Sequence, residues 1–540
     1  MNRVCCVWAI FSLVYASIIP LLAGCTAFLP KRAAPPEGEL PEQFSQGDAD
    51  DVRSMPWWHD FGSEPLNELI HEAMQENLTL RQLWARLDQA GAVATQAASG
   101  LYPQLDYGGN AGYRRTSVHV DVVKPTIGSQ LRDATASGIA NGLNNVIQQR
   151  LNGSGGGSGS GSGVSTGTGL SSNKTKERVV TETRQFDLSL AATYEVDLWG
   201  RIFTQYRAAE FEVNATREDL EATAITLAAE VTDRWLRILE QQELRRILNE
   251  QLETNNTYLD LVELRFRNGL VSALDVYQQR QVVSEVRRQI PLVEASEQVL
   301  RQDLAVLLGR LPTTAVEVGA YDLAEVPPLP PTGIPAELLI HRPDIRAALS
   351  RLQAADYRVA SARAERLPAL RLTGGIGYNT GQIRHLFDDW FLSIAAGLAG
   401  PLFDGFRREA EVERTRAVVE ERLAEYRLVV LTAIQEVEAS LVEENRQREY
   451  MTALSEQRHN AQDALREASE RYRRGLTDYL PVLSALERTQ ALTRMVVNSR
   501  RELLTIRLNL YRALGGTWTQ ELQAPIRLSE QDVAEKDSAL

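Results

Sequence analysis

Two short stretches of the sequence have nearly the same pattern: residues 265–277 read RFRNGLVSALDVY, and residues 471–483 read RYRRGLTDYLPVL. In each stretch an arginine-rich segment of helical character meets a glycine, and an apolar segment follows. Glycine takes the left-handed conformation that ends a helix without the steric penalty of a Cβ atom. Each stretch therefore predicts a helix that stops at Gly269 or Gly475, followed by a second helix that returns alongside it.

The segments that lead into these two glycines are long and uninterrupted. Neither 201–268 nor 406–474 contains glycine or proline, so each is predicted as one helix of roughly 100 Å at about 1.5 Å per residue. In the first segment, apolar side chains at spacings of three and four form a coiled-coil seam at Leu220, Ala224, Leu227, Val231, Trp235 and Ile238. We expect two long antiparallel helical hairpins whose far ends are the twin glycine turns.

The similarity extends beyond the turns and indicates a duplicated unit. Residues 77–105 align with 342–370 and belong to predicted helices at 66–101 and 338–366. The first structural repeat is assigned to 62–310, and the second to 336–516. A proline-rich linker at 311–335 connects them.

Four stretches have strand character: about 104–115, 184–197, 369–379 and 390–400. Each alternates apolar and polar residues over about ten positions, with aromatic residues near the ends, as outer-membrane barrel strands do. A soluble two-sided sheet is the alternative interpretation. Four strands are too few to close a barrel, because the smallest known have about eight. The chain is therefore expected to supply one share of an oligomeric barrel.

Between its two strands the first repeat carries a long polar segment, 116–183, where the second repeat has only a short link. The segment includes the Gly/Ser tract GSGGGSGSGSGVSTGTG at 153–169. Such composition favours a solvated loop with no core of its own. We expect the Gly/Ser portion to be dispensable.

Composition excludes several classes of function. The 540 residues include 58 basic and 71 acidic ones, a formal net charge of −13, which argues against a nucleic-acid partner. The six histidines are scattered, and the sequence has no triad, phosphate loop or metal-ligand spacing. We predict no enzyme, no cofactor and no metal site. The adjacent carboxylates Glu443 and Glu444 are predicted to lie on a solvated helix face.

The amino terminus has the pattern of an export signal over residues 1–24. An apolar run from Val7 to Leu22 follows a basic start and ends in LAGC, whose cysteine is Cys25. LAGC resembles a bacterial lipoprotein box, which implies cleavage before Cys25 and acylation, including palmitate. The alternative is an ordinary signal peptide with an incidental cysteine. A proline-rich tether over 25–61 and an acidic tail over 517–540 complete the expected domains.

In order along the chain, several motifs resemble those of one family. They are PWWHDF at 56–61, YEVDLWGR at 194–201 answered by GPLFDGFRR at 400–408, HRPDIRAA at 341–348, and the paired RFRNGL and RYRRGL turns. Together they resemble the TolC-like outer-membrane factors, in particular the NodT-like efflux lipoproteins.

That resemblance implies a mixed α and β membrane protein. Each chain is expected to contribute four transmembrane strands to a twelve-strand barrel shared by a homotrimer, and to contribute long helices to a periplasmic coiled-coil tunnel. The segment 116–183 is then an extracellular loop. The implied partners are outer-membrane lipid, a periplasmic adaptor (membrane fusion) protein and an inner-membrane transporter of the RND type. The implied function is the outer-membrane channel of a tripartite efflux system for drugs or other small molecules.

The resemblance also assigns roles at the tips. Asp275 pairs with Tyr472 in a periplasmic gate, and Leu480 forms its apolar constriction. The adaptor docks on both tips, at Arg265, Asn268, Gly269, Leu270, Arg471, Arg474, Gly475 and Leu476. Where relatives place acidic pore residues this chain has Pro481 and Ser484, so the resemblance gives no acidic ring. For the tip arginines, stabilisation of helix dipoles is the alternative role.

Two other functions remain open at this point. The same fold serves type I protein secretion, in which the channel exports polypeptides. A lipid-anchored periplasmic helical scaffold without a pore is the other alternative, and the four alternating strands argue against it.

We predict that Cys25 is the first residue of the mature chain and carries lipid on its thiol and amino group. Cys25→Ser is expected to lower the outer-membrane yield, because acyl chains add a second membrane attachment. Cys6→Ser, within the signal, is the matched control and should change nothing. Mass spectrometry of the amino-terminal peptide checks this; an unmodified residue, or cleavage elsewhere, contradicts it.

Overall fold

The computed structural model describes Phe44 and residues 56–123, 174–319, 323–332, 335–515, 518–522 and 524. The signal peptide, Cys25, the Gly/Ser tract, nearly all of the expected tether and most of the acidic tail lie outside the described residues. The chain divides into two compact units. The helical unit comprises Met1–Pro103, Tyr194–Arg371 and Gly397–Leu540, and the sheet unit comprises Gln104–Thr193 and Leu372–Ala396.

One four-stranded sheet contains all of the described strands. They are β1 (Gln104–Val123), β2 (Lys174–Val196), β3 (Ala369–Thr380) and β4 (Trp390–Ala399), in the order β1-β2-β3-β4. β1 and β2 pair antiparallel from Gln104↔Thr193 to Val123↔Lys174. Strands β3 and β4 form a hairpin whose ladder ends with the Asn379 N–H donating to the Asp389 carbonyl. The neighbouring strands thus run as an up-and-down meander.

The first two strands are longer than the sequence predicted. The predicted ends were near 115 and 184, whereas pairing continues to Val123 and back to Lys174. β-branched residues such as Val118 and Val180 continue the strand pattern, and Arg115 lies 3.5 Å from Glu182 across the ladder. The predicted loop over 116–183 is therefore wrong at both ends. Its central part, 124–173, lies outside the described residues.

The sheet exposes its apolar side chains. Large apolar residues lie exposed on every strand: Leu105, Tyr107, Tyr113, Val118, Val180, Leu188, Leu190, Leu372, Ile376, Trp390, Leu392, Ile394 and Leu398. Within one chain, β1 and β4 are the outer strands, each with one unpaired edge. Open edges and exposed apolar faces are both unfavourable in water.

Eight α-helices are described. They are α1 (Glu64–Glu76), α2 (Leu78–Ser99), α3 (Arg201–Arg267), α4 (Ala273–Leu307), α5 (Pro335–His341), α6 (Pro343–Ala364), α7 (Arg407–Arg473) and α8 (Leu480–Leu514). As predicted, α3 and α7 are each continuous, at 67 residues. The pairs α3/α4 and α7/α8 form the hairpins, and α6 packs between α3 and α7. Among the described helices, none combines the length and the apolar character needed to cross a membrane.

Each of the two short helices predicted from the sequence, 66–101 and 338–366, is divided into two helices in the structure. The first breaks at Asn77, whose side chain accepts from the Leu80 N–H at 3.0 Å and donates to the Leu307 carbonyl at 2.8 Å. The second breaks at Arg342, because Pro343 supplies no N–H and favours a helix start. A new helix start leaves its first backbone N–H groups without partners in the helix, and the Asn77 side chain, as N-cap, accepts from one of them.

The largest buried cluster includes aromatic residues from both ends of the described chain. Trp57 stacks on Tyr511 with ring centroids 5.5 Å apart, and Trp58 meets Trp518 edge-on at 4.6 Å. Trp57 and Trp58 are buried in the 3₁₀ turn Trp57–Phe61. The expected tether thus ends before residue 57 rather than at 61. The expected tail likewise overlaps the 3₁₀ turn Trp518–Glu521.

A buried ion pair corrects one expectation. Glu444 is buried rather than solvated and binds Arg507, which is fully buried on α8, with Nε donating to the carboxylate at 2.8 Å. The Arg507 guanidinium also donates to the Pro327 carbonyl at 2.5 Å. Glu443, one residue earlier, is exposed as predicted. The pair ties α7 and α8 to the proline-rich linker.

We predict that Glu444→Gln destabilises the helical unit by about 3–5 kcal/mol, because it leaves the Arg507 charge buried without its partner. The matched control is Glu443→Gln, expected to change stability by less than about 0.5 kcal/mol. Thermal unfolding of the detergent-purified protein, followed by circular dichroism, measures both. Equal midpoints for the two variants would show that the buried pair contributes nothing.

Candidate functional site: the paired helix tips

The two glycine turns have the same hydrogen-bonding geometry. Gly269 and Gly475 have φ of 68° and 71°. The Gly269 N–H donates to the Phe266 carbonyl and the Leu270 N–H to the Arg265 carbonyl, both at 2.9 Å. The second turn, at the tip of the α7/α8 hairpin, repeats this pattern with the N–H groups of Gly475 and Leu476 as donors. Both are Schellman turns, in which a left-handed residue closes the helix end, as the sequence predicted.

The two tips touch each other through Arg265. Its guanidinium lies 4.2 Å from the centroid of the Tyr472 ring. It also donates to the carbonyls of Tyr472, at 3.1 Å, and Arg473, at 3.3 Å. These carbonyls belong to the last turn of α7, where unpaired acceptors and the negative end of the helix dipole favour a cation. Arg265 on α3 thus caps the neighbouring hairpin.

The other tip residues predicted for docking remain at the surface. Arg471 and Arg474 bind acids one turn earlier on α7, Glu467 at 2.8 Å and Glu470 at 3.2 Å. Leu270 and Leu476 are each about 70% exposed, although large apolar side chains are normally covered. The Asn268 side chain donates to the Leu264 carbonyl at 2.7 Å and caps α3. Each tip therefore presents a leucine within a rim of polar groups.

The hydrogen bond that the resemblance implied between Asp275 and Tyr472 is absent among the described residues of one chain. The Asp275 carboxylate accepts from the Ser272 N–H at 2.9 Å and from the Ser272 hydroxyl at 3.0 Å, closing a capping box at the start of α4. The buried Tyr472 hydroxyl has no hydrogen-bond partner there. Its ring packs on Tyr479 at 5.3 Å. Within one chain, local capping occupies Oδ2 of the Asp275 carboxylate.

Leu480 is the first residue of α8 and is 55% exposed. Pro481 follows it in the first turn, where the missing N–H leaves no partner unsatisfied. Tyr479, immediately before Leu480, is buried in a cluster with Val262, Val276 and Val482. A buried anchor thus holds an exposed leucine at the start of the returning helix.

A buried network of polar side chains joins the two hairpins near the tips. The Tyr479 hydroxyl donates to Gln279 Oε1 at 2.7 Å, and Gln279 Nε2 donates to the Asn255 carbonyl at 2.8 Å. Asn255 Nδ2 donates to Gln490 Oε1 at 3.1 Å, and Gln251 Nε2 to the Gln490 carbonyl at 3.2 Å. All five residues are buried. The network links α3, α4 and α8.

Burial shifts the pKa of two groups in this network. Burial raises the pKa of the Tyr479 phenol, so the hydroxyl remains a donor. Burial lowers the pKa of Arg494, whose guanidinium donates to Gln251 Oε1 at 2.5 Å. Hydrogen bonds of this kind contribute about 0.5–1.5 kcal/mol each, and a buried group without its partner costs about 1–3 kcal/mol. The arrangement therefore favours one position of α8 against the first hairpin.

Sequence reasoning missed this network, although the sequence contains a signal for it. Leu248, Gln251, Asn255, Tyr258 and Val262 follow one another at spacings of three and four. Those are seam positions of a coiled coil, where a polar residue fixes register and partner.

Comparison with known proteins assigns the family. The family model described as outer membrane efflux protein matches residues 150–310 and 334–516. A pyoverdine export outer membrane protein of Pseudomonas putida is 30% identical over 505 residues, covering 93% of this chain and 96% of the relative. An antibiotic efflux pump outer membrane protein of Pseudomonas putida is 29% identical over 529 residues, with 94% and 96% covered.

A solved structure has the same fold. The outer-membrane channel OprN superposes with a TM-score of 0.74 at 24% identity, covering 91% of this chain and all of that one.

We predict that Asn255→Leu loosens the tips, because it removes the Nδ2 donor and leaves the buried Gln490 Oε1 unpaired, at about 1–3 kcal/mol. Limited trypsin digestion should then cut faster after the tip arginines. Asn256→Leu, the same change one residue on and outside the network, is the matched control. Equal cutting rates for Asn255→Leu and the parent would contradict a bracing role.

Proposed function

The chain belongs to the outer membrane efflux protein family, and we propose that it exports small organic molecules as a lipid-anchored homotrimer. The family consists of outer-membrane transport channels rather than enzymes, so this chain is the outer-membrane component of an efflux system. We propose that it works with an adaptor and an inner-membrane pump, since one relative is named as the outer membrane protein of an antibiotic efflux pump. We further propose its class of cargo, its assembly, its lipid anchor, the type of its pump and the role of its helix tips.

The open sheet supports the trimer. Strands β1 and β4 each leave one edge unpaired, and apolar side chains lie exposed along all four strands. Closure of a barrel abolishes both edges. Three copies in a ring supply twelve strands, and the exposed apolar side chains then face lipid. The exported, acylated Cys25 adds a second attachment to the outer membrane.

The cargo is assigned by class. One relative is named for pyoverdine export and another for antibiotic efflux. Because such different compounds leave through similar channels, we infer that the channel is wide and unselective. The pump, proposed to be of the RND type, then selects the substrate. Small-molecule export is therefore preferred over polypeptide secretion.

The paired helix tips are the observation that supports the proposed docking most directly. In a homotrimer six Schellman turns form a ring, and Leu270 and Leu476 are exposed on it. We assign the docking surface for the adaptor to Arg265, Asn268, Gly269, Leu270, Arg471, Arg474, Gly475 and Leu476. Leu480 from each copy closes the aperture. The buried network around Asn255 takes the holding role that Asp275 and Tyr472 were expected to fill.

We predict that Leu476→Asp abolishes efflux without harming assembly, because a charge replaces an exposed apolar side chain at the docking surface. Drug tolerance of a susceptible host that carries this chain with its adaptor and pump should fall to the level without the channel. The control is Leu292→Asp, an equally drastic change at an exposed leucine of α4. It should leave tolerance unchanged.

Two results contradict the proposal. If Leu476→Asp leaves tolerance intact, the tip is not the docking surface. If the parent confers no tolerance but releases a polypeptide, the channel serves protein secretion.

A further inference from the structure

One residue holds a backbone conformation that its side chain disfavours. Phe406, the residue before α7, has φ of 65°, and no other described non-glycine residue has a positive φ. In the first repeat the matching residue before α3 is Gly200, with φ of 73°. Glycine occupies this region freely, whereas a Cβ atom there meets the following carbonyl. The second repeat thus has a phenylalanine in the left-handed conformation, where the first repeat has a glycine that takes this conformation without strain.

The described residues leave the Phe406 side chain largely uncovered, although hydrogen bonds hold its turn: the Arg408 N–H donates to Asp404 Oδ2 at 3.3 Å, and the Ala410 N–H donates to the Phe406 carbonyl at 2.9 Å. The Phe406 ring is 70% exposed, and its ring contact is with Phe403, edge-on at 6.2 Å. Phe403 is 82% exposed, and Leu402 beside it is fully exposed. These three side chains form the apolar knob. The hydrogen bonds of the turn hold the strained backbone, but they leave three neighbouring apolar side chains exposed, and such a patch points to a contact outside the chain.

The helical unit also has an open groove between α2 and α3, with a volume of about 720 Å³. One wall consists of small residues of α2, which include Gly91, Ala94 and Ala98; the other carries the aromatic residues Tyr206 and Phe211. Its charged groups satisfy each other: Arg207 lies 2.6 Å from Glu210, and the Tyr206 hydroxyl donates to Glu210 at 2.7 Å. The groove therefore suits an apolar occupant.

Strand direction determines which copy meets the knob. The meander β1-β2-β3-β4 is antiparallel, so β4 ends at the same sheet end where β1 begins. When β4 of one copy pairs with β1 of the next, the end of β4 at Ala399 and the start of β1 at Gln104 lie at the same end of the barrel. The knob follows Ala399 directly, and Tyr102, which lines the groove, lies two residues before Gln104.

We propose that the apolar knob of one copy fills the groove between α2 and α3 of the next copy and so locks the ring. The inference rests on the homotrimer proposed above and names the surface that holds it together. Each copy presents the knob on one side and the groove on the other, which is the heterologous contact that a cyclic assembly requires. Phe406 is kept because its strain in one chain is offset by apolar burial in the assembly.

Cross-linking tests the contact in the full-length protein. The sequence has no cysteine beyond Cys25, so Leu402→Cys with Tyr102→Cys introduces one defined pair. Mild oxidation should give disulfide-linked oligomers up to the trimer on non-reducing gels. Within one chain Tyr102 precedes β1 and Leu402 follows β4, and these two outer strands lie roughly 14 Å apart at about 4.8 Å per strand. That exceeds the Cα separation of about 4.4–6.8 Å that a disulfide spans.

The matched control pairs Leu402→Cys with Leu78→Cys. Leu78 is exposed at the other end of α2, roughly 33 Å from Ser99 at about 1.5 Å per residue. This pair should give no linked oligomers. A native mass of three chains without linkage of the first pair overturns the knob-and-groove contact but leaves the trimer. A monomeric native mass overturns the homotrimer itself.

A second variant tests the knob without cysteines. Phe406→Gly gives the second repeat the residue of the first and removes the backbone strain. The isolated chain should fold at least as well, yet the trimer band on heated detergent gels should disappear at a lower temperature than for the parent. A trimer as heat-resistant as the parent would overturn the role of Phe406.

Discussion

The register between the two helical hairpins is the constraint on which the tips depend. Helices α3 and α7 each run for 67 residues, so a slip of one turn would separate the tips by about 5.4 Å. An apolar seam alone tolerates such slips, whereas buried polar partners do not. In this chain such polar partners join the two hairpins at more than one position along the long helices. Asn255 on α3 binds Gln490 on α8, and Arg501 on α8 binds Glu240 on α3. With the register fixed, Arg265 reaches the last carbonyls of α7.

The duplicated unit has diverged where the repeats need different partners. Gly200 and Phe406 occupy matching helix starts with the same left-handed backbone, but only the second presents an apolar ring to the outside. Matching positions also separate Asp275, which caps α4, from Pro481, which lies in the first turn of α8. Asp275 pairs with a backbone donor at its helix start, whereas Pro481 has no N–H that would need a partner. The duplication therefore fixes the backbone while leaving the surface residues free to specialise.

The sequence predicted the backbone better than the contacts. Gly269 and Gly475 were predictable because a long run without glycine or proline ends at each, and a left-handed turn needs glycine. The ends of β1 and β2 were missed because the whole segment 116–183 was assigned to a loop from its polar, Gly/Ser-containing composition, although Val118 and Val180 continue the strand alternation. Glu444 and Asn255 were missed because a residue type does not show which way it faces on a 67-residue helix. The pairing of Asp275 with Tyr472, inferred from a resemblance, is not formed among the described residues of one chain, where Asp275 Oδ2 accepts from Ser272; for the assembled tips it stays a prediction.

In the proposed assembly the two ends of the helical unit are held by interactions of different kinds. At the tips, the bonds around Asn255 lie within one chain, are polar, and contribute about 0.5–1.5 kcal/mol each. They can exchange partners without separating the copies. The apolar knob lies at the other end of α7, roughly 100 Å away at about 1.5 Å per residue, and it holds copies together by burial, which is non-directional and lost only on separation. A ring built this way can open at its tips while its far end stays assembled, because the two sets of contacts share no residue.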